Sequence, residues 1–181
     1  MSSARVVVGI AGGIAAFKTA AVVSRLVQSG CEVDVVLTRG ALQFIGPATF
    51  AALCGRAPVI DLFDARFPLG PHIELADRAD LMLVAPATAR VLASCALGLA
   101  DDLLATLYLN CHCPVVMAPA MSSPMWEKAA VRRNVEQLRA DGVRIIGPAS
   151  GWLSCRKTGE GRMVEPDEIL ATINSILQVN A

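Results

Sequence analysis

The chain has no net charge: 16 Lys and Arg offset 16 Asp and Glu, and no basic run or basic helical stripe interrupts that balance. Such a chain lacks the electrostatic footprint of a nucleic-acid binder or of a membrane-surface protein. Apolar runs long enough to span a bilayer, about 18 residues, are also missing. Arg90 and the Asp101-Asp102 pair break the longest candidate. Residues 1–5 lead straight into Val6-Val7-Val8 without the charged, apolar and cleavage regions of a signal peptide, so a cytoplasmic protein is expected. Histidine is scarce, with only His72 and His112. Cys111-His112-Cys113 is the one tract dense in soft ligands, yet no second cysteine pair has zinc spacing, so the tract reads as a polar turn before a buried strand and no metal is expected. The six cysteines of an unexported chain are expected to be thiols.

What the chain has in abundance is apolar residues, 54% against 18% charged. That surplus points to apolar surface buried between subunits, hence a homo-oligomer. The length of 181 residues fits a single domain over 1–181. Continuous apolar runs alternate with helix-length segments, as in a parallel sheet covered on both faces. Strands are predicted over 5–10, 32–38, 80–85, 114–118 and 144–146, with a short further run over 57–60. Helices are predicted over 14–28, 41–53, 73–79, 89–97, 101–109, 124–140 and 166–177, and a long loop over 147–165. The order predicts an α/β fold, a three-layer Rossmann-like (flavodoxin-like) parallel sheet.

In such sheets ligands bind beyond the carboxyl ends of the strands, where helix N-termini present unpaired N–H groups. Gly12-Gly13 follow the first strand, Thr38-Arg39 the second, Pro86-Ala87-Thr88 the run over 80–85, and Pro119-Ala120-Met121-Ser122 the run over 114–118. Gly9, Gly12 and Gly13 spell G-x-x-G-G, not the G-x-G-x-x-G dinucleotide fingerprint. An NAD-binding domain usually places an acid where Thr38-Arg39 stand. Arg39 leaves NADP open, while a mononucleotide fits better, and the glycine pair also reads as a tight turn needing only small residues. The stretch 151–163 mixes Trp152, Cys155 and the cations Arg156, Lys157 and Arg162. At that length an aperiodic segment is either a lid or binding loop, or a disordered one.

Taken in order, these stations resemble the flavin-dependent cysteine decarboxylase family, over about residues 5–169. The resemblance rests on Gly13-Ile14-Ala15-Ala16-Phe17-Lys18, His72-Ile73-Glu74-Leu75-Ala76, Ala85-Pro86-Ala87-Thr88-Ala89, Ala100-Asp101-Asp102-Leu103-Leu104, Ala118-Pro119-Ala120-Met121, Met125-Trp126 and Gly159-Glu160-Gly161-Arg162-Met163. It is closest to the coenzyme A branch. It implies FMN as cofactor, with Gly12, Gly13 and Ile14 at the phosphate, Thr38 and Phe44 flanking the flavin, and Ala87, Thr88 and Met121 touching it. It also implies His72 as catalytic base, reaching a site shared with a neighbouring subunit of a trimer or dodecamer. Ser122, Met125, Arg162 and Met163 are the implied substrate contacts, and Cys155 the proton donor on a loop closing over the substrate.

The implied chemistry is oxidative decarboxylation of an amide-linked C-terminal cysteine. A cysteine carboxylate cannot leave as CO₂ until oxidation of the thiol to a thioaldehyde provides an electron sink, a step that belongs to the cofactor. Loss of CO₂ leaves an enethiolate, and a protonation with returned hydride yields the saturated thiol. The implied substrates are 4′-phosphopantothenoylcysteine or a peptide ending in cysteine; a catalytically idle regulatory flavoprotein is the third reading. The chain departs from the family where Ser122 replaces Asn and where Arg90 and Val91 replace Asn and Thr. Serine has a shorter reach than the amide and one donor instead of two, with Ser123 as a possible helper.

Overall fold

A computed structural model describes residues 3–179. Five parallel strands form its central sheet: β1 (Arg5–Ile10), β2 (Glu32–Leu37), β3 (Leu81–Ala87), β4 (Val115–Pro119) and β5 (Arg144–Ile145), in the order β2-β1-β3-β4-β5. Alternation along each strand divides the apolar side chains between two faces. Val6, Val8, Ile10, Leu81 and Leu83 meet α1 (Ala16–Gln28), α2 (Pro47–Cys54) and α8 (Pro166–Val179) on one face. Val7, Met82, Val84 and Met117 meet α3 (Pro71–Arg78), α4 (Ala89–Ala96), α5 (Leu103–Asn110) and α7 (Ala129–Ala140) on the other. Gly9 is small for a reason: a Cβ there would overlap the Leu104 side chain on that second face. The sheet is thus flanked on both faces, a flavodoxin-like arrangement, as the sequence pattern predicts. Among the described residues, no helix is long and apolar enough to cross a membrane.

The order changes direction between β1 and β3, where the chain leaves β1 for β2 on one side and later returns to β3 on the other. Helices and loops diverge there and leave a crevice at the carboxyl ends of the strands. Every glycine turn and proline motif singled out above opens into that end of the sheet.

Four predicted elements differ. The helix over 41–53 divides into a 3-10 turn at Ala41–Gln43 and α2, because Pro47 forces the preceding Gly46 out of the helical region (ψ 145) and then opens the new helix. The run over 57–60 contributes a single parallel bridge, Val36 to Val59, and not a strand. The helix over 124–140 is interrupted at Lys128, which is extended (ψ 132), giving the single turn α6 (Ser123–Trp126) and then α7. The long loop over 147–165 holds an antiparallel hairpin, β6 (Ala149–Trp152) and β7 (Thr158–Arg162). Its strands carry Gly151, Gly159 and Gly161, and strand interiors built on glycine show no alternation to read.

Candidate active site

The crevice is a cavity of about 1230 Å³, ample for a mononucleotide and a small substrate together. One wall is the β1–α1 turn. Gly12 passes so close to Gly40, in the turn after β2, that a Cβ would lie 2.7 Å from the Gly40 carbonyl carbon and 2.9 Å from its oxygen. Only glycine lets these two backbones touch. Gly13 donates to the Ala11 carbonyl and Ala16 to the Gly13 carbonyl, while the N–H groups of Gly12, Ile14 and Ala15 have no protein partner among the described residues. Ala15, at the head of α1, supplies no side-chain cap. Unpaired donors at the positive end of a thirteen-residue helix suit a phosphate. Thr38 adjoins them, its hydroxyl held between the Ile10 carbonyl and the Ala41 amide.

Thr88 and Ala89 form a second side of the cavity, at the end of β3 where the Ala85–Pro86 peptide is cis. Arg90 beside them is bound by two carboxylates, Asp102 at 2.9 Å and Asp101 at 2.7 Å. Asp102 also caps α5 through the Ala105 amide. These partners lie 11 and 12 residues from Arg90, so no local pattern in the sequence announces the cluster. The guanidinium that replaces the family's Asn is therefore neutralised in place.

The third side joins the segment after β4 to the hairpin. Met121, Ser122 and Met125 line it together with Cys155, Arg162 and Met163. Lys18 on α1 donates to the Glu165 carboxylate at 2.9 Å and to the Met163 carbonyl at 3.3 Å, and Arg162 binds the same carboxylate. The Lys18 hydrogen bond is the main cause that holds the Glu165 carboxyl below its ordinary range. Glu165 escaped the sequence reading because it lies 147 residues from Lys18. Ser123 is not free to stand in for the missing amide: its hydroxyl donates to the Glu160 carbonyl at 2.5 Å.

Of the fourteen residues singled out in the sequence, eleven line this one cavity: Gly12, Gly13, Ile14, Thr38, Thr88, Met121, Ser122, Met125, Cys155, Arg162 and Met163. Three do not. Ala87 is fully buried in β3, its carbonyl accepting from the Ala120 amide. Phe44 is half exposed beyond the 3-10 turn. His72 sits at the start of α3, outside its own chain's cavity, with its carbonyl held by Asn110 and its buried Nδ1 without a hydrogen-bond partner among the described residues. Among the cysteines, Cys155 alone is both exposed and on the cavity wall. Cys95, by contrast, is buried, and burial is the main cause that pushes its thiol up to about 12.

Residues 1–178 match the Flavoprotein family. The coenzyme A biosynthesis bifunctional protein CoaBC of Mycobacterium tuberculosis (strain ATCC 25618 / H37Rv) is 44% identical over 174 residues, covering 96% of this chain and 41% of that protein. Its counterpart in Bacillus subtilis (strain 168) is 42% identical over 171 residues, covering 94% and 42%. The chain thus spans about two fifths of the length of these relatives. Among solved structures, the FMN-dependent cysteine decarboxylase SpaF superposes with a TM-score of 0.85 at 35% identity, covering 98% of both chains. A PPC decarboxylase mutant complexed with pantothenoylaminoethenethiol gives 0.86 at 26%, covering 98% of this chain and all of that one. The chain belongs to the flavoprotein family, and within it to the flavin-dependent cysteine decarboxylases.

Proposed function

We propose that this chain, acting as one domain over 1–181, is an FMN-dependent decarboxylase of an amide-linked C-terminal cysteine, and that its substrate is 4′-phosphopantothenoylcysteine, giving 4′-phosphopantetheine and CO₂. The observation that carries the reading is the convergence of an anion-binding glycine turn, an apolar crevice and an exposed thiol on one cavity. FMN fits that cavity: its phosphate matches the unpaired donors of Gly12 and Ile14, and Leu37, Ile60 and Leu104 supply apolar wall for its rings. Bound there, FMN would supply the hydride-accepting chemistry that no side chain has.

The protein's own residues position and protonate. Ser122 and Arg162 hold the substrate at its polar end, with Met125 and Met163 packed along it. His72 takes the thiol proton as the cysteine is oxidised, serving the cavity of a neighbouring copy, since it does not line its own. Cys155 hands a proton to the enethiol carbon. Phe63 (88% exposed), Phe17 (61%) and Ile14 (53%) rim the cavity. That much uncovered apolar surface supports a second subunit at the rim, in a trimer or in a dodecamer of four trimers. Six free cysteines accord with a cytoplasmic location.

Anaerobic mixing with phosphopantothenoylcysteine tests the reading. Transient flavin bleaching, CO₂ and phosphopantetheine are expected; persistent oxidised flavin with intact substrate would reject it. Ser122 in place of the family's Asn favours a second reading, a peptidyl-cysteine decarboxylase forming a C-terminal enethiol, and a peptide ending in cysteine tests that. The cofactor's placement has its own check. Gly12→Ala sets a methyl against the Gly40 backbone, which cannot step aside as a side chain would. The variant is expected to purify folded with FMN affinity lowered by about tenfold or more, equivalent to about 1.4 kcal/mol. A fully yellow Gly12→Ala protein would place the phosphate elsewhere.

A further inference from the structure

The β6–β7 hairpin carries Cys155 at its turn and Arg162 at its end, yet little apolar surface seats it. Between residues 149 and 162 only Leu153 and Gly161 are buried. Polar contacts to the segment 121–132 take over. The Met121 amide donates to the Gly161 carbonyl at 2.9 Å, and the Ser123 hydroxyl to the Glu160 carbonyl at 2.5 Å. Gly159 and Gly161 let the strands approach so closely that a Cβ on either would overlap Ser123 Oγ or the Met121 carbonyl oxygen.

One side chain of the hairpin reaches beyond this backbone contact. The Glu160 carboxylate accepts from Trp126 Nε1 at 3.2 Å and from Arg132 Nη2 at 3.4 Å. The Arg132 guanidinium stacks over the Trp126 ring at 4.4 Å, so the three groups form one unit. Trp126 is 3% exposed, and a buried indole N–H needs its acceptor. Arg132 and Glu160 are each about half exposed, so their ion pair is solvent-screened and contributes less than the indole bond. Glu160 therefore docks the hairpin onto the same short segment that presents Met121, Ser122 and Met125 to the cavity.

We propose that Glu160 is a positioning residue: through Trp126 and Arg132 it latches the hairpin on α6 and holds Cys155 and Arg162 in register with Met121 and Ser122 on the cavity wall. The consequence for chemistry rests on the function proposed above, in which Cys155 acts only in the last step. A loosened latch then weakens the grip of Arg162 on the substrate and leaves oxidation and CO₂ loss running at saturation. It lets the enethiol escape before it is protonated, its two electrons left on the flavin for dioxygen to remove before the next turnover.

Hydrogen exchange of the FMN-bound 181-residue chain reads the latch directly. In Glu160→Ala, exchange over 119–126 and 149–162 should accelerate about tenfold or more, with β1 and β3 unchanged, as for a local opening. Glu160→Gln, which keeps an acceptor for the indole, should restore slow exchange. With phosphopantothenoylcysteine in air, where dioxygen reoxidises the flavin, Glu160→Ala should raise KM, since Arg162 grips the substrate. CO₂ release at saturation should stay within about twofold of the parent while the enethiol share of product, lighter by two hydrogens, rises several-fold. Unchanged exchange in Glu160→Ala overturns the latch. Accelerated exchange in a protein whose parent decarboxylates nothing supports the latch and sinks the function reading alone.

Discussion

His72→Asn is expected to lose decarboxylation by about 10²–10⁴-fold, the span of a general base, while retaining FMN and the native mass of the parent assembly of 19.0 kDa chains. The substitution removes a proton acceptor without breaking a hydrogen bond: the imidazole Nδ1 makes none among the described residues, and the contact with Asn110 runs through the His72 carbonyl, which asparagine keeps. A group with no structural partner and no place in its own chain's cavity has most to offer a neighbouring copy. Retained turnover in His72→Asn would remove it from the mechanism. A native mass of one chain with FMN bound and full activity would remove the shared site.

Cys155→Ser is expected to stop the reaction at the enethiol, with formation of saturated thiol down by about 10²-fold or more and CO₂ release preserved for the one turnover per flavin that proceeds without an oxidant. Serine keeps the size of the side chain but is a far poorer acid than a thiol. Cys155 is exposed at the hairpin turn, so the change leaves no cavity and costs little stability. Mass spectrometry of the product after anaerobic turnover distinguishes the two species. Saturated thiol at the parent rate would assign the proton to another donor. The two variants also test each other. If His72 of one copy serves the cavity of the next, a reassembled mixture of His72→Asn and Cys155→Ser subunits regains saturated thiol, which neither variant makes alone. Enethiol as the sole product of the mixture would place His72 and Cys155 in service of the same chain's site.

Other expectations separate by how local their cause is. The five sheet strands were legible because a strand covered on both faces is a continuous apolar run, as in Val6-Val7-Val8 and Leu81-Met82-Leu83-Val84. The glycine turn and the residues after β2, β3 and β4 were legible because a parallel sheet sends the carboxyl ends of its strands to one edge. Eleven candidates on a single cavity follow from that geometry.

What the sequence left open depends on partners far away in the chain. The hairpin was hidden because its strands are glycine-rich and owe their conformation to docking against Met121 and Ser123. The break at Lys128 gave no warning, since Glu127 and Lys128 suit a helix interior. Arg90 with Asp101 and Asp102, Lys18 with Glu165, and Trp126 with Glu160 are pairings across 11 to 147 residues. Period and motif report only what neighbouring residues impose on one another. The amino-acid order by itself therefore determined the layers, the sheet edge where the cavity opens and the residue types gathered there. Which charges neutralise one another, which serine is already engaged, and that His72 stands outside its own cavity were decided by tertiary packing alone, because each is a distance between segments that only the folded chain brings together.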